Sequence, residues 1–148
     1  MGKNNRFKPK RTGNFKREKK SLELRKDGLV PKKYIVFSLR YLDKTQGQTP
    51  EKWEDEKILG KAINRIQGFC SMTVTDAIQS QTLKIYGKEI PKDSNYKHPK
   101  YLDDDIEWAS LRIQGKERII GYIESEFIFN IVFLDMEHEF YPSKKKNT

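Results

Sequence analysis

The fold is decided by residues 106–134, which read IEWASLRIQGKERIIGYIESEFIFNIVFL. Apolar and polar residues largely alternate along this stretch, and a period of two is typical of β-strands. The pattern divides the stretch into strands at 106–114, 118–124 and 127–134, with breaks of three and two residues between them. Connections this short require neighbouring strands to be antiparallel. The stretch therefore predicts a three-strand antiparallel meander.

The residues before this stretch predict a strand and a helix. The strand is expected at 34–42, YIVFSLRYL, where high β propensity and few polar residues indicate an interior position. The helix is expected to begin at Pro50, because Thr49 is a favourable N-cap and proline suits the first helical position. Apolar residues then recur at three- and four-residue spacing as far as Phe69, which defines one apolar helix face.

A second, shorter helix and a long loop complete the predicted domain. Thr73 and Asp76 have the spacing of a capping box, with Asp in place of the usual Glu. Residues 84–86 read as a short extended segment, and 87–105 as a polar loop too long to be a tight turn. We therefore predict an α+β fold in which strand, helix and helix are followed by the three-strand antiparallel meander, with the helices on one sheet face.

The positive charge of the chain is concentrated at its ends. The 148 residues have a formal net charge of +9, but residues 1–33 hold 13 basic and 3 acidic side chains, and residues 34–143 have a net charge of −4. We expect 1–33 to be a disordered basic arm, 34–143 a single domain and 144–148 a basic tail. Such segments bind nucleic-acid phosphates without sequence preference. The side chains expected to do so are Lys8, Lys10, Arg11, Arg17, Lys144, Lys145 and Lys146.

Composition and motifs exclude several classes of protein. No apolar run approaches the ~20 residues of a membrane-spanning helix, and no secretory signal is visible behind the basic N-terminus. The single cysteine, Cys70, rules out an internal disulfide and an all-cysteine zinc site. A glycine-rich phosphate motif and a serine nucleophile elbow are also absent from the sequence. We therefore expect a cytoplasmic protein without a cofactor, whose partner is an anion, most often nucleic acid.

Two arginines are predicted to meet on one face of the meander. Alternation places Arg112 on the same face as Trp108 and Ser110, and Arg118 on the same face as Tyr122. Because the turn between the two strands is short, the two guanidinium groups become neighbours on the open face of the sheet, where their forked geometry matches phosphate oxygens. The competing interpretation is that they are solvated residues on the exposed side of a half-buried sheet.

The residues after the last strand offer acid and base groups. His138 and Tyr141 follow that strand closely, and a histidine titrates near pH 7. The competing interpretation is that His138 is an ordinary surface residue. The carboxylates at 103–105 and Glu107 do not predict a metal site, because consecutive aspartates point in different directions and no second acidic motif completes a ligand set.

The segment from Trp108 to Tyr122, WASLRIQGKERIIGY, resembles the strand-turn-strand signature of RelE/YoeB-like toxins. In that family a Trp-Ser-x-Arg-Ile strand is followed by Arg, two apolar residues, a variable residue and Tyr. His138 and Tyr141 resemble the C-terminal His/Tyr end of the family, and the element order of 34–143 resembles its layout. The resemblance implies a RelE-like fold and a small metal-independent ribonuclease that cuts mRNA, typically on the ribosome, and that an antitoxin protein neutralises.

The resemblance also implies roles for individual residues. Arg118 matches the arginine that contacts the scissile phosphate, with Arg112 as a supporting cation, while His138 and Tyr141 match the acid/base and substrate-stacking positions. One departure is that the His/Tyr pair of the family is commonly adjacent, whereas here the two residues are three positions apart. The predicted catalytic residues are Arg118, His138 and Tyr141, and the predicted RNA contacts on the domain are Arg112, Lys116 and Tyr122.

Two other functions fit the same sequence. The chain can be a non-catalytic nucleic-acid-binding protein that uses the basic arm as its main contact. It can also be a protein-interaction module, in which the Phe- and Ile-rich strand at 127–134 forms a sheet edge that pairs with a partner strand, as would suit a phage or mobile-element protein. None of these interpretations requires a membrane or a small-molecule cofactor.

Overall fold

A computed structural model describes residues 31–143, and eight helices and strands lie within them. Residues 1–30 and 144–148, which include all seven basic side chains predicted for the arm and tail, lie outside the described residues. The described elements are, in chain order, β1 (Val36–Ser38), α1 (Pro50–Asp55), α2 (Leu59–Phe69), α3 (Val74–Gln79), β2 (Leu83–Gly87), β3 (Trp108–Gln114), β4 (Glu117–Glu124) and β5 (Ile128–Asp135).

The five strands form one mixed sheet in the order β1-β5-β4-β3-β2. Strands β2 to β5 pair antiparallel with their neighbours, and β1 runs parallel to β5. The predicted fold class, a RelE-like strand-helix-helix unit followed by a three-strand antiparallel meander, is therefore wrong. The strands of the meander form only the centre of a larger mixed sheet, although the architecture is α+β overall.

The strands that the prediction misjudged are the two edges of the sheet. β1 was expected in the interior, but it pairs only with β5, and Val36 is 51% exposed. β2 contains the extended segment predicted at 84–86 and pairs with β3 on the opposite side. Because β1 flanks β5, the strand at 127–134 is not a sheet edge. The protein-interaction interpretation therefore loses the edge on which it depended.

Three short helices take the place of the two predicted ones. Thr49 caps α1 as expected, since its hydroxyl accepts a hydrogen bond from the backbone N–H of Lys52. The chain leaves the helix at Lys57, whose φ of 60° is left-handed, and α2 begins at Leu59. The apolar periodicity continues across this break, so the pattern alone predicts a single helix. The capping box that starts at Thr73 is confirmed.

The larger hydrophobic core lies between the helices and one face of the sheet. Each helix buries a side chain there, namely Trp53 from α1, Phe69 from α2 and Ala77 from α3. This face of the sheet is therefore covered by the helices. None of the described helices is long and apolar enough to cross a membrane. The strands contribute Leu83, Ala109, Leu111, Ile113, Ile119, Phe129, Ile131 and Leu134 to the same core.

The opposite face of the sheet, which was predicted to be open, is covered in its middle by a second core. The segments at 88–107 and 136–143 lie over this face, and the ring of Phe140 from the second segment is fully buried against Trp108, with ring centroids 5.1 Å apart. A cavity opens at each end of this second core. The buried members of the second core are Tyr96, Leu102, Trp108, Ile120, Tyr122, Val132, Phe133 and Phe140.

A β-bulge between β4 and β5 adapts the sheet to the second core. The register shifts between Ile120 and Gly121, so that the consecutive residues Val132 and Phe133 both join the second core. The bulge brings the strands so close that a Cβ at position 121 would lie in hard contact with the carbonyl oxygen of Asn130. Only glycine fits this position without a shift of the backbone.

Candidate functional site

Three of the predicted site residues line one small cavity at the edge of the second core. The cavity has a volume of about 70 Å³, and its walls carry the cations Lys84, Arg112 and Arg118 but no carboxylate. We call it the cationic pocket. Guanidinium and ammonium groups around a cavity of this size suit a small oxyanion such as a phosphate group. The pocket is lined by Gln81, Thr82, Lys84, Tyr86, Ser110, Arg112, Arg118 and His138.

The two arginines of the pocket lie directly opposite each other. Arg112 on β3 pairs in register with Arg118 on β4, as the alternation predicted. Nη1 of Arg118 donates hydrogen bonds to the backbone carbonyl oxygens of Gly115, at 2.6 Å, and Glu117, at 3.1 Å. Burial lowers the pKa of the Arg118 guanidinium, and the positive charge of Arg112 lowers it further. An anion bound between the two side chains would relieve this repulsion.

His138 is held in the pocket by a turn that Asp135 closes. The buried Asp135 carboxylate accepts hydrogen bonds from the backbone N–H groups of Glu139 and Phe140, both at 2.9 Å. Within this turn His138 has a φ of 58°, in the left-handed region that few residues other than glycine adopt. Its Nδ1 atom is buried without a hydrogen-bond partner among residues 31–143. Because Nδ1 is enclosed by the protein, a ligand in the pocket can bond to the ring only through Nε2.

Tyr141 does not line the cationic pocket but supports a tyrosine that does. Its ring stacks on the ring of Tyr86, with centroids 3.5 Å apart and an interplanar angle of 17°. Burial, together with the nearby Tyr86, raises the pKa of Tyr141 to about 12, and its hydroxyl donates to the carbonyl oxygen of Glu89 at 3.4 Å. The Tyr86 hydroxyl accepts a hydrogen bond from Oγ of Ser110 at 3.4 Å. The phenol that reaches the pocket is therefore Tyr86.

The remaining predicted RNA contacts lie away from the pocket. Nζ of Lys116 pairs with a carboxylate oxygen of Glu137 at 2.8 Å on the protein surface, and this hydrogen bond raises the pKa of the lysine. Tyr122 lines a separate cleft at the other end of the second core. The structure thus brings together Arg112, Arg118 and His138, but not Lys116 or Tyr122.

The lysine and the tyrosine of the pocket were not among the site residues predicted from the sequence. Lys84 and Tyr86 are two positions apart on β2, and strand alternation places both on the face that carries the pocket. Lys84 lies in register with Ser110 of β3. The segment at 84–86 was predicted to be extended, and its alternation was the available signal. Its pairing with β3 could not be predicted, because 20 residues separate the two strands in the chain.

Neither a metal site nor a known relative adds to this geometry. Among residues 31–143, no group of three or more His, Cys, Asp or Glu side chains is placed to hold a metal ion. Comparisons with protein-family models, with curated proteins and with solved structures gave no match. The cationic pocket is accordingly the feature from which a function can be inferred.

Proposed function

We propose that this protein binds RNA at the cationic pocket and cleaves it by attack of a ribose 2′-hydroxyl on the adjacent phosphate. One observation carries the proposal: two arginines, a lysine, a histidine and a tyrosine converge on a single cavity of about 70 Å³ whose lining contains no carboxylate. Cations alone would suit any phosphate ligand. The addition of a histidine, whose buried Nδ1 leaves Nε2 as the nitrogen for a ligand, supplies the proton acceptor that phosphodiester cleavage needs.

Each group has a role in this reaction. The guanidinium groups of Arg112 and Arg118 bind the non-bridging phosphate oxygens and stabilise the charge that builds up as the phosphorus becomes five-coordinate. His138 accepts the 2′-hydroxyl proton while the 2′-oxygen forms its bond to phosphorus. The bond from phosphorus to the 5′-oxygen breaks, and the leaving oxygen takes the phenolic proton of Tyr86. The products are a 2′,3′-cyclic phosphate and a 5′-hydroxyl, and solvent returns the proton from His138 to Tyr86.

The orientation of the Ser110 hydroxyl supports this assignment for Tyr86. Because Oγ of Ser110 donates to the Tyr86 oxygen, the phenolic proton is left for another acceptor. Arg118 lies near enough to stabilise the phenolate that forms, since Tyr86 is among the groups that interact electrostatically with it. Tyr141, which was predicted to be catalytic, has the supporting role of holding the Tyr86 ring by stacking.

The segment 108–122 resembles RelE/YoeB-like toxins, and this resemblance supports mRNA as the substrate and a cytoplasmic setting. Dependence on the ribosome and neutralisation by an antitoxin protein stay predictions of that resemblance. The basic side chains of the arm and tail, such as Lys8 and Lys144, would add affinity for RNA through counterion release without taking part in the chemistry.

The test compares the wild type with His138→Asn, because asparagine tolerates the left-handed backbone but cannot act as the base. End-labelled mRNA is offered free in the presence of EDTA and, in a separate reaction with Mg²⁺, on translating ribosomes. We expect the wild type to produce fragments ending in 2′,3′-cyclic phosphate, and His138→Asn to cut about 10²-fold or more slowly while binding RNA within twofold. Lys61→Gln, on the exposed side of α2, is the control and should cut normally.

A second candidate, RNA binding without cleavage, is favoured by the position of Tyr141. Its hydroxyl is bonded to the Glu89 carbonyl oxygen, so that the pocket lacks one of the three side chains that were predicted to be catalytic. This candidate is the correct one if the wild type leaves both free and ribosome-bound mRNA intact, yet Arg112→Gln weakens RNA binding at least tenfold. Intact RNA together with unchanged binding in Arg112→Gln would reject both candidates.

A further inference from the structure

A larger cleft opens at the other end of the second core, with the opposite charge. It has a volume of about 660 Å³, within the range of small-molecule sites. Along β3 it begins at the Trp108–Tyr122 pair, four residues from the Arg112–Arg118 pair. At a rise of ~3.3 Å per residue, the two sites are about 13 Å apart on the same sheet face. The cleft walls include Tyr41, Tyr101, Tyr122, Asp103, Glu107 and Glu124.

We propose that this cleft, which we call the acidic cleft, binds an organic cation through ammonium or guanidinium groups that lie between tyrosine rings and carboxylates. Free polyamines and the basic side chains of peptides carry such ammonium or guanidinium groups. Its volume is several times that of one such group, and its carboxylates are spread along the walls. A ligand with two or more cationic groups therefore fits it best. This inference is independent of the RNA-cleaving function proposed for the cationic pocket.

The charges of the cleft lining are strongly unbalanced. Four carboxylates and one ammonium group, that of Lys100, line it, and the guanidinium of Arg40 lies beside it over the Tyr41 ring. Asp105 is paired with Lys88 at 3.5 Å, but the carboxylates of Asp103 and Glu107 have no ion-pair partner among the described residues. Where unpaired carboxylates lie beside aromatic rings, a cation is attracted by the charge of the carboxylates and by the negative faces of the rings.

Tyr122 provides a second and independent indication of a ligand. Its side chain is only 9% exposed, yet its hydroxyl has no hydrogen-bond partner among residues 31–143. Burial, followed by the charges of Tyr41, Glu124 and Asp103, raises the pKa of Tyr122 to about 12. The hydroxyl is not among the fully buried polar atoms, so it stays accessible from the cleft that Tyr122 lines. An N–H donor from a bound cation would satisfy its oxygen.

The aromatic wall is already fixed in shape and already accepts a cation. The Tyr101 hydroxyl donates a hydrogen bond to the carbonyl oxygen of Tyr41 at 2.9 Å, which ties the two sides of the wall together. The guanidinium carbon of Arg40 lies 5.3 Å from the ring centroid of Tyr41, within cation–π distance. The cleft is thus formed in the free protein, and little ordering is needed when a ligand binds.

The test measures binding to the full chain by calorimetry with four probes: spermidine, argininamide, a short arginine-containing peptide and an uncharged polyol of similar length. We expect the cations to bind and the polyol not to bind. Glu107→Gln should weaken binding at least tenfold, and Tyr122→Phe, which keeps the ring but loses the hydroxyl, about threefold. Asp93→Asn removes an exposed carboxylate outside the cleft and should leave binding unchanged.

The relative affinities identify the source of the cation. Tighter binding of spermidine supports a free polyamine, whereas tighter binding of the peptide supports a basic side chain of a protein. The inference is overturned if none of the cations binds, or if Asp93→Asn weakens binding as much as Glu107→Gln, because general charge attraction would then suffice. We expect Glu107→Gln, at an exposed site, to keep the wild-type melting temperature, and measuring it checks that the comparison concerns folded protein.

Discussion

Arg112 and Arg118 lie directly opposite each other on β3 and β4, yet hydrogen bonds within the protein fix the guanidinium group of only one of them. The Arg118 guanidinium is bonded to two turn carbonyls, whereas Arg112 is exposed and its guanidinium makes no hydrogen bond with residues 31–143. Like charges placed directly across a pair of strands destabilise a sheet. An anion bound between the two side chains would remove this repulsion and give the Arg112 guanidinium a partner.

This relationship predicts that Arg112→Gln separates function from stability. The free energy of unfolding should rise by roughly 0.2–1 kcal/mol, because a repulsive cross-strand pair is removed. RNA binding should weaken at least tenfold in the same variant. Urea unfolding and RNA titration at fixed ionic strength measure the two effects. The control, Lys61→Gln, removes the same charge from α2, and an equal loss of RNA binding there would show that net charge and not the pocket is responsible.

The stacked pair Tyr86 and Tyr141 gives a second prediction. Tyr86→Phe keeps the stack but removes the proposed proton donor, so single-turnover cleavage should slow by about 10²-fold. Tyr141→Phe also keeps the stack and should cleave within threefold of the wild type. Tyr141→Ala should lower the free energy of unfolding by about 1–2 kcal/mol, since an aromatic pair contributes roughly 0.5–1.5 kcal/mol beyond the buried area. The reverse ranking of the two Phe variants would make Tyr141 the catalytic group.

The part of the site that could be predicted from the sequence is the part that local geometry controls. A period of two and a three-residue turn are enough to place Arg112 opposite Arg118, and the structure has that register. The capping box at Thr73 is equally local and is present. These features depend on residues within a few positions of one another, so no knowledge of the tertiary fold is needed.

The features that could not be predicted depend on contacts between distant segments. Tyr96 and Leu102 are isolated apolar residues in a polar loop, and nothing near them in the sequence indicates that they cover the sheet. The break at Lys57 interrupts a periodic apolar pattern that continues on both sides. Lys84 reaches the cationic pocket only because β2 joins the edge of the sheet beside β3. In each case tertiary packing overrides the local pattern.

Asp135 supports the turn that carries His138, and this gives a third prediction. Its side chain is 1% exposed and accepts two backbone hydrogen bonds. Asp135→Asn keeps one acceptor oxygen and turns an N–H₂ group toward the second donor, so the free energy of unfolding should fall by about 1.5–3 kcal/mol. Cleavage by the folded fraction should also fall, because His138 is no longer held. Asp93→Asn, at an exposed position, should change neither quantity, and a stable, fully active Asp135→Asn would contradict this role.

Two glycines that differ in their surroundings give a fourth prediction. Gly121→Ala places a Cβ against the carbonyl oxygen of Asn130 and the ring of Phe129, so the bulge and the second core should be disrupted at a cost of about 4 kcal/mol or more. Gly68→Ala on α2 has open space around its Cβ and should stabilise the protein by roughly 0.5–1 kcal/mol. Denaturant unfolding of both variants tests the bulge, and a normal midpoint for Gly121→Ala would show that the backbone can relax there.

The raised pKa of Tyr122 gives a pH-dependent prediction for the acidic cleft. The ordinary pKa of tyrosine is about 10, and that of Tyr122 is about 12 because burial and then nearby charges, including that of Glu124, oppose ionisation. The neutral phenol therefore favours the folded state. Its contribution to stability is complete below about pH 10 and is lost as the pH rises through about 12.

Absorbance titration near 295 nm, with Tyr122→Phe to assign the transition, measures this pKa directly. Glu124→Gln removes one of the negative charges near the phenol, so the midpoint of Tyr122 should move down toward the ordinary value. Saturating argininamide should move it in the same direction, because its guanidinium stays charged at this pH and a bound cation stabilises the phenolate. If Glu124→Gln leaves the midpoint unchanged but Tyr41→Phe shifts it, then Tyr41 and not Glu124 sets the electrostatic potential at the Tyr122 hydroxyl. If argininamide leaves the midpoint unchanged while calorimetry detects its binding, the cation lies away from Tyr122.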